Sequence, residues 1–379
     1  MKNRCYGTNS KIGVLGGGQL GRMLLQSALN FDIQLHMLDP DPAAPCAKIA
    51  HSFTCGSLQD YDTVLQFGQD KDLLTVEIEN VNTDALAVLE AKGVNVFPQP
   101  HVLNTIRDKG LQKQFYTAHG IPTAPYQLFE NKAELQHVPF PFVQKLRTGG
   151  YDGKGVQVIR TEADLDLAFD APCVVEQLIP FEKELSVIVA RRTNGEIKSF
   201  PVVECEFNPE ANLVEFLFSP AILIPEIEAE AQRLAQLVIE ELDMVGLLAV
   251  EFFLTTDGTL LINEIAPRPH NSGHHTIESC VCSQFEQHLR AILDLPLAPT
   301  DLIQAGAMLN LTGEKGFEGP VIYEGLEAAL AIPGVHPHLY GKATTKAFRK
   351  MGHLTITGPD LQTVRERAAQ VKSLIRVIA

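Results

Sequence analysis

Eleven residues, Lys145-Leu146-Arg147-Thr148-Gly149-Gly150-Tyr151-Asp152-Gly153-Lys154-Gly155, hold four glycines, two lysines, one arginine and one aspartate. Glycine lets backbone amides turn toward an anion, and lysine supplies charge that a polyphosphate attracts, so the stretch reads as a flap over nucleotide phosphates. A glycine-rich hairpin turn with solvated charges fits the same residues. A second constellation pairs Glu251 with Glu264. The strand-like runs Leu247 to Leu254 and Leu260 to Ile265 are joined by residues 255–259, whose Asp257-Gly258 is a strong hairpin signal. With these two residues at the turn, Glu251 lies directly opposite Glu264, where Cβ atoms are about 4.5–5.5 Å apart and like charges repel. A Mg²⁺ ion, with Mn²⁺ as a substitute, takes one or two carboxylates plus water and phosphate oxygens and would relieve that repulsion. An exposed glutamate pair tolerated at modest cost is the competing reading. In this register Asn263 points to the opposite face unless the strand is bulged there. The third constellation is basic: Lys342, Lys346, Arg349 and Lys350 put four cations in nine residues, either a local anion site or a solvated strand face.

These groups need elements to hold them. Ile12 to Leu15 reads as a buried strand, followed by Gly16-Gly17-Gly18-Gln19-Leu20-Gly21, a helix to Leu29 and a strand from Ile33 to Leu38 ending at Asp39. Formally this is a dinucleotide fingerprint. The same glycine turn holds any phosphate at a helix N-terminus, or packs helix against strand, and nothing downstream resembles a hydride-transfer site. Strand and helix patterns continue through Leu73 to Ile78 and Val94 to Val96, so a small parallel sheet is expected first, with Glu77 and Glu79 at a strand end where open sheets bind ligands. From Pro122 the pattern is α+β: strands at Phe140 to Lys145, Val156 to Ile159, Cys173 to Leu178, Leu185 to Ala190 and Ser199 to Val203, and helices from Glu162 and over Glu226 to Leu242. Ala305 to Leu311 is apolar, and Leu361 to Ile378 has an amphipathic helical pattern.

The chain has 379 residues, a formal charge of −15, 45% hydrophobic and 20% charged residues. Two or three domains are expected at that length, and the acidic balance argues against a general nucleic-acid binder. No apolar run approaches the roughly 18 residues of a bilayer span, and the first ten residues lack a signal-peptide core, which points to the cytoplasm and away from a membrane partner. Seven cysteines without paired spacing indicate neither a disulfide framework nor structural zinc.

The flap after a strand lysine, then Glu176-Gln177-Leu178-Ile179, Glu184 and the two-carboxylate hairpin together look like an ATP-grasp enzyme. Gly16 to Arg22, Gly150 to Gly155, Asn263 to His274 and Tyr340-Gly341-Lys342 resemble the N5-carboxyaminoimidazole ribonucleotide synthetase family of purine biosynthesis. The resemblance implies a Rossmann-like N-terminal domain over 11–106, an ATP-grasp domain over 107–300 and a C-terminal domain over 301–379 that binds substrate phosphate. It implies ATP-dependent carboxylation of aminoimidazole ribonucleotide by bicarbonate, with ADP and phosphate released, in a homodimer. ATP would meet Arg107, Lys145, Gly150, Tyr151, Asp152, Gly153, Lys154, Gly155, Val156, Glu176, Gln177, Leu178, Ile179, Glu184, Asn263 and Glu264. Phe207 stands where the family commonly has histidine, as a base-stacking ring or an ordinary core residue. Glu251 and Glu264 would hold Mg²⁺. Gln19, Leu20, Glu77, Asn271, Lys342, Arg349 and Lys350 would contact the ribonucleotide, with Asp152, Arg268 and Lys342 taking catalytic roles. The sister formate-dependent glycinamide ribonucleotide transformylase shares the layout but typically has Asp-Thr where this chain has Asn271-Ser272. A non-catalytic nucleotide-binding regulator would be expected to lose the Glu251 and Glu264 pair.

Overall fold

The computed structural model describes residue 7 and residues 10–150, 155–208, 210 and 213–379. Tyr151, Asp152, Gly153 and Lys154 of the flap lie outside the described residues. Five short strands, β1 (Lys11–Leu15), β2 (Gln34–Asp39), β3 (Ser52–Cys55), β4 (Leu73–Val76) and β5 (Asn95–Val96), form a parallel sheet in the order β3-β2-β1-β4-β5. Ile12, Val14, Leu35, Met37, Leu73 and Leu74 are all buried, as expected where helices cover both faces of a parallel sheet. Helix α1 (Gln19–Leu29) packs Met23, Leu24 and Ala28 on one side. On the other lie α2 (Tyr61–Gly68) and α3 (Thr83–Ala91), whose first turns are capped by the side chains of Asp60 and Asn82.

Helices α4 (Pro100–Arg107) and α5 (Lys109–Ala118) lead into a four-stranded antiparallel sheet of β6 (Tyr126–Phe129), β7 (Phe142–Leu146), β8 (Val156–Ile159) and β9 (Cys173–Gln177), ordered β6-β9-β7-β8. The helix expected from Glu162 is only a 3₁₀ segment, Glu162–Leu167. Thr161 and Asp164 start it with a capping box, but Pro172 favours extended backbone before it and β9 begins at Cys173.

The third layer is a nine-stranded sheet. Its strands are β10 (Phe181–Arg191), β11 (Ile197–Ser199), β12 (Val203–Asn208), β13 (Leu213–Ser219), β14 (Gly246–Thr255) and β15 (Leu260–Ala266), with α6 (Pro225–Glu241), α7 (Thr276–Ser279) and α8 (Gln284–Ile292) around them. The C-terminal region adds β16 (Ala305–Thr312), β17 (Gly319–Pro320), β18 (Ile322–Glu324), α9 (Leu326–Leu330), β19 (Val335–Leu339), β20 (Thr344–Thr345), β21 (Lys350–Gly358), α10 (Leu361–Leu374) and β22 (Arg376–Ile378). The sheet runs β15-β14-β10-β12-β13-β16-β21-β19, with β11 on β10. It therefore passes without a break through residue 300, because β13 pairs with β16 and sets Phe216 opposite Leu309. The C-terminal unit nevertheless has its own core, with Val364, Ala368 and Val371 of α10 against Leu309 and Ile356. The strand expected over Ser199 to Val203 is split into β11 and β12, since Pro201 between them has no N–H for a ladder.

The hairpin β14–β15 departs twice from the expected register. Thr255 N–H donates to Thr259 O at 2.9 Å and Gly258 has φ +85°, so the loop holds three residues instead of two, and Phe253 pairs with Leu261. Between the pairs Phe252–Ile262 and Glu251–Glu264 the extra residue Asn263 forms a bulge. The bulge cancels the slip from the turn and restores the opposition of the two glutamates.

Candidate active site

Glu251 and Glu264 face each other across β14 and β15, with Ser186 of β10 beside Glu251. Their side chains keep 27% and 44% of their surface open to the cleft, enough for a cation to reach. Burial, followed by the like charges of Glu264 and Glu184, pushes Glu251 up to about 7. Burial also raises Glu264, but the Lys109 ammonium, 2.6 Å from its Oε1, outweighs it and holds the carboxyl below its ordinary value. Two opposed carboxylates, one of them hard to ionise chiefly because it is buried, form a hard-oxygen donor set that suits Mg²⁺ completed by water and phosphate oxygens. Among the described residues no group of three or more His, Cys, Asp or Glu side chains forms a metal cage.

Lys145, at the end of β7, donates to Asn263 Oδ1 at 2.7 Å and pairs with Glu176 Oε2 at 2.8 Å. The bulge at Asn263 thus turns its side chain toward Lys145 instead of the opposite face. Glu176 on β9 also meets Lys113, whose Nζ is 2.9 Å from Oε1. Burial disfavours the Glu176 carboxylate, yet Lys145 and then Lys113 overcome it and take the group down to about 2. Burial lowers Lys113 to about 8 in spite of its partner. Glu184 on β10 is raised to about 7 by burial, only partly offset by Lys145. Val156 pairs with Lys145 across β7 and β8, Gly155 has φ +81°, and Gly150 closes the described part of the flap. Gln177 ends β9, and Leu178 and Ile179 follow it half-buried. Phe207 is half-buried on β12, beside a register shift.

Arg107 ends α4 and donates from Nη1 to Val81 O at 3.2 Å, which leaves its other N–H donors for a ligand, and the cation on the carboxylate pair is Lys109. Lys109 and Lys113 were not singled out from sequence. Their spacing of four puts both on one face of α5, and a lysine at the first position of a helix opposes the helix dipole, which is the signal that marks Lys109. Asp108 caps α5 and takes two bonds from Arg147, at 3.0 and 2.7 Å, anchoring the base of the flap.

The glycine loop is filled by acids of its own chain. Gly17 N–H donates to Asp39 Oδ2 at 2.7 Å and Leu20 N–H to Glu77 Oε1 at 3.1 Å. A Cβ at Gly16 or Gly18 would lie 2.7 or 2.5 Å from a Glu77 oxygen, so these glycines serve the close approach of Glu77. Asp39, where a dinucleotide ribose would be read, is a loop cap. Gln19 opens α1 next to this contact. Burial raises Glu77 to about 7 against the pull of Arg268. Two residues on, Glu79 pairs with the Arg268 guanidinium, Nε to Oε2 at 2.5 Å and Nη2 to Oε1 at 3.2 Å. His270, also missed in sequence, lies 3.6 Å from Glu251 and is pulled down to about 3 by burial and by Arg268, so it is neutral at pH 7. Asn271 Nδ2 is buried without a hydrogen-bond partner, as expected of a donor that awaits a ligand.

Of the basic run, Lys342 Nζ donates to Lys350 O at 2.7 Å and lies 5.6 Å from the Tyr340 ring, while Arg349 Nη1 donates to Thr344 O at 2.9 Å. Lys350 is near enough to bear on Glu251 and His270, which brings the start of β21 to the cleft. Glutamates, lysines and an arginine from all three regions therefore converge on one cleft bounded by the two antiparallel sheets and the end of β4. No helix among the described residues is long and apolar enough to cross a membrane.

The chain matches the ribonucleotide synthetase preATP-grasp domain over residues 9–107, the ATP-grasp domain over 114–285 and the phosphoribosylaminoimidazole carboxylase C-terminal domain over 306–367. It is 40% identical over 354 residues to N5-carboxyaminoimidazole ribonucleotide synthase of Bacillus subtilis, covering 91% of this chain and 90% of that one. The crystal structure of N5-carboxyaminoimidazole ribonucleotide synthetase from Thermotoga maritima superposes with a TM-score of 0.91 at 39% identity, over 98% of this chain and 99% of that one. The synthase from Aspergillus clavatus, in complex with ADP and 5-aminoimidazole ribonucleotide, superposes with a TM-score of 0.88 at 35% identity, over 97% and 98% of the two chains.

Proposed function

The chain belongs to the N5-carboxyaminoimidazole ribonucleotide synthase family of ATP-grasp ligases, and on that premise we propose how its residues divide the work. The reaction is the ATP-dependent carboxylation of 5-aminoimidazole ribonucleotide by bicarbonate, with ADP and phosphate released, in purine biosynthesis. The observation that carries the assignment of roles is the Glu251–Glu264 pair facing Lys109 and Lys145 between the two antiparallel sheets.

ATP lies in that cleft, with Arg107, Lys145, Lys109 and the flap amides on its phosphates and Asn263, Glu176 to Ile179 and Glu184 along the nucleotide. Phe207 belongs to the same proposal. Glu251 and Glu264 would hold Mg²⁺, or Mn²⁺ on the same oxygens, which would supply charge neutralisation on the phosphates. Bicarbonate is a poor electrophile. Transfer of the γ-phosphoryl group to one of its oxygens makes carboxyphosphate, whose carbon the exocyclic amine attacks as phosphate leaves, with the amine proton passing to a base. Arg268 holds the bicarbonate end. Asp152 orients the amine or takes its proton, and flap closure keeps water from the intermediate. The ribonucleotide lies along Gln19, Leu20, Glu77 and Asn271, its 5′-phosphate on Lys342, Arg349 and Lys350. We place the chain in the cytoplasm, as a homodimer. ADP release measured with each substrate omitted tests the reading: turnover should require both bicarbonate and aminoimidazole ribonucleotide, and equal turnover with formate and glycinamide ribonucleotide would overturn it.

A further inference from the structure

Arg268 sits in Pro267-Arg268-Pro269, just after β15. The flanking prolines stiffen its backbone, yet its long side chain still has several rotors to fix before it can hold an anion in one place. The group that fixes it comes from another domain. Glu79 follows β4 in the Rossmann-like sheet, 189 residues away in sequence, and takes two of the five N–H donors of the guanidinium. Such a two-point bond sets both the position and the plane of the guanidinium. The pair is largely enclosed, with 18% of the arginine and 28% of the glutamate side chain exposed. Arg268 overcomes the effect of burial and takes Glu79 down to about 2, so the carboxylate stays charged through the neutral range.

We infer that Glu79 is a positioning residue for the carboxylation: it holds the Arg268 guanidinium across the domain boundary in the orientation that receives bicarbonate. The inference rests on the placement of bicarbonate at Arg268 proposed above. It also assigns distinct tasks to the two acids at the end of β4. Glu77 bonds the glycine loop through Leu20 N–H, on the ribonucleotide side, while Glu79 holds the arginine on the bicarbonate side. Only Ile78 separates them, so one strand end sets the spacing between the two partners of the new carbon–nitrogen bond. Glu79 is outside the ion pairs at Lys145, Lys113 and Lys109 and bears on Glu264 only as a weaker charge than Lys109 and Lys145, so the effect should fall mainly on bicarbonate.

The test compares Glu79→Gln, Glu79→Asp, Arg268→Ala and the Glu79→Gln/Arg268→Ala double variant in the full chain, by ADP release at saturating ATP and ribonucleotide. Loss of a charge-assisted bond pair should raise the bicarbonate KM of Glu79→Gln roughly tenfold or more. The KM for ATP should stay near wild type, Glu79→Asp should recover part of the loss, and the double variant should be no worse than Arg268→Ala alone. Should Glu79→Gln fold poorly by thermal melt, Glu79→Asp carries the same comparison. If Arg268→Ala raises the bicarbonate KM and the Glu79 variants do not, or if they raise both KM values alike, the positioning role is overturned while the function stands. If Arg268→Ala itself leaves the bicarbonate KM unchanged, the placement of bicarbonate is wrong and the inference falls with it.

Discussion

Replacing Glu176 by Gln should loosen the sheet of β6 to β9 by removing the carboxylate between two buried amines, Lys145 and Lys113; Lys113, at about 8 even with this partner, would give up its proton near neutral pH. Lys113 and Lys145 lie 2.9 and 2.8 Å from the two carboxylate oxygens, and the three side chains are between 3% and 9% exposed, so solvent screens them little. Breaking a buried pair by removing one partner costs about 3–5 kcal/mol, because the remaining charge keeps its desolvation penalty. A chain with several cores is unlike a two-state domain, so the measurement should be local: amide hydrogen exchange on β7 and β9. A loss of about 3 kcal/mol corresponds to exchange roughly 150-fold faster. Adding Lys113→Met should recover part of the protection by replacing a buried amine that has lost its ion-pair partner. The pH dependence has a definite sign. With Glu176 taken down to about 2, its contribution is complete above the ordinary glutamate value of 4.5 and is lost as the pH falls from there toward 2. Protection in the wild type should fall over that window, and the Glu176→Gln variant should lack this component. Exchange within threefold of wild type at neutral pH would refute the reasoning.

Glu251→Gln should raise the Mg²⁺ concentration needed for half-maximal turnover by tenfold or more, and unchanged metal dependence would count against the assignment. Because Glu251 is raised to about 7, metal must displace a proton below that pH, so apparent Mg²⁺ affinity should weaken toward tenfold per unit as the pH falls below about 7; a flat profile between pH 5.5 and 7 would exclude the shift. Lys342→Ala should raise the KM for the ribonucleotide far more than that for ATP, and equal effects on both would remove Lys342 from the phosphate site.

Much of this architecture is written locally. The glycine turn before α1, the apolar strands of the parallel sheet, the Asp-Gly hairpin and the order of motifs that marks the family all depend on residues near one another in sequence. The opposition of Glu251 and Glu264 was legible as well, although through a register that the turn and the Asn263 bulge alter in compensating ways. A bulge is a property of two strands under the twist of a whole sheet, so the single residue that brings Asn263 to Lys145 leaves no mark in composition. The same reason hides Lys109, Lys113 and the Glu79–Arg268 pair. A charge becomes informative when burial strips it of water, and the partners that compensate it are 63, 155 and 189 residues away, counted from Lys113 to Glu176, Lys109 to Glu264 and Glu79 to Arg268. The sequence by itself determined most of the elements and the chemistry they carry, though not the 3₁₀ segment at Glu162 or the break at Pro201. Beyond the one hairpin that opposes Glu251 to Glu264, only the tertiary structure decided which charges face one another, because electrostatic pairing between distant segments depends on distance through space and on exclusion of solvent, and neither is encoded in spacing along the chain.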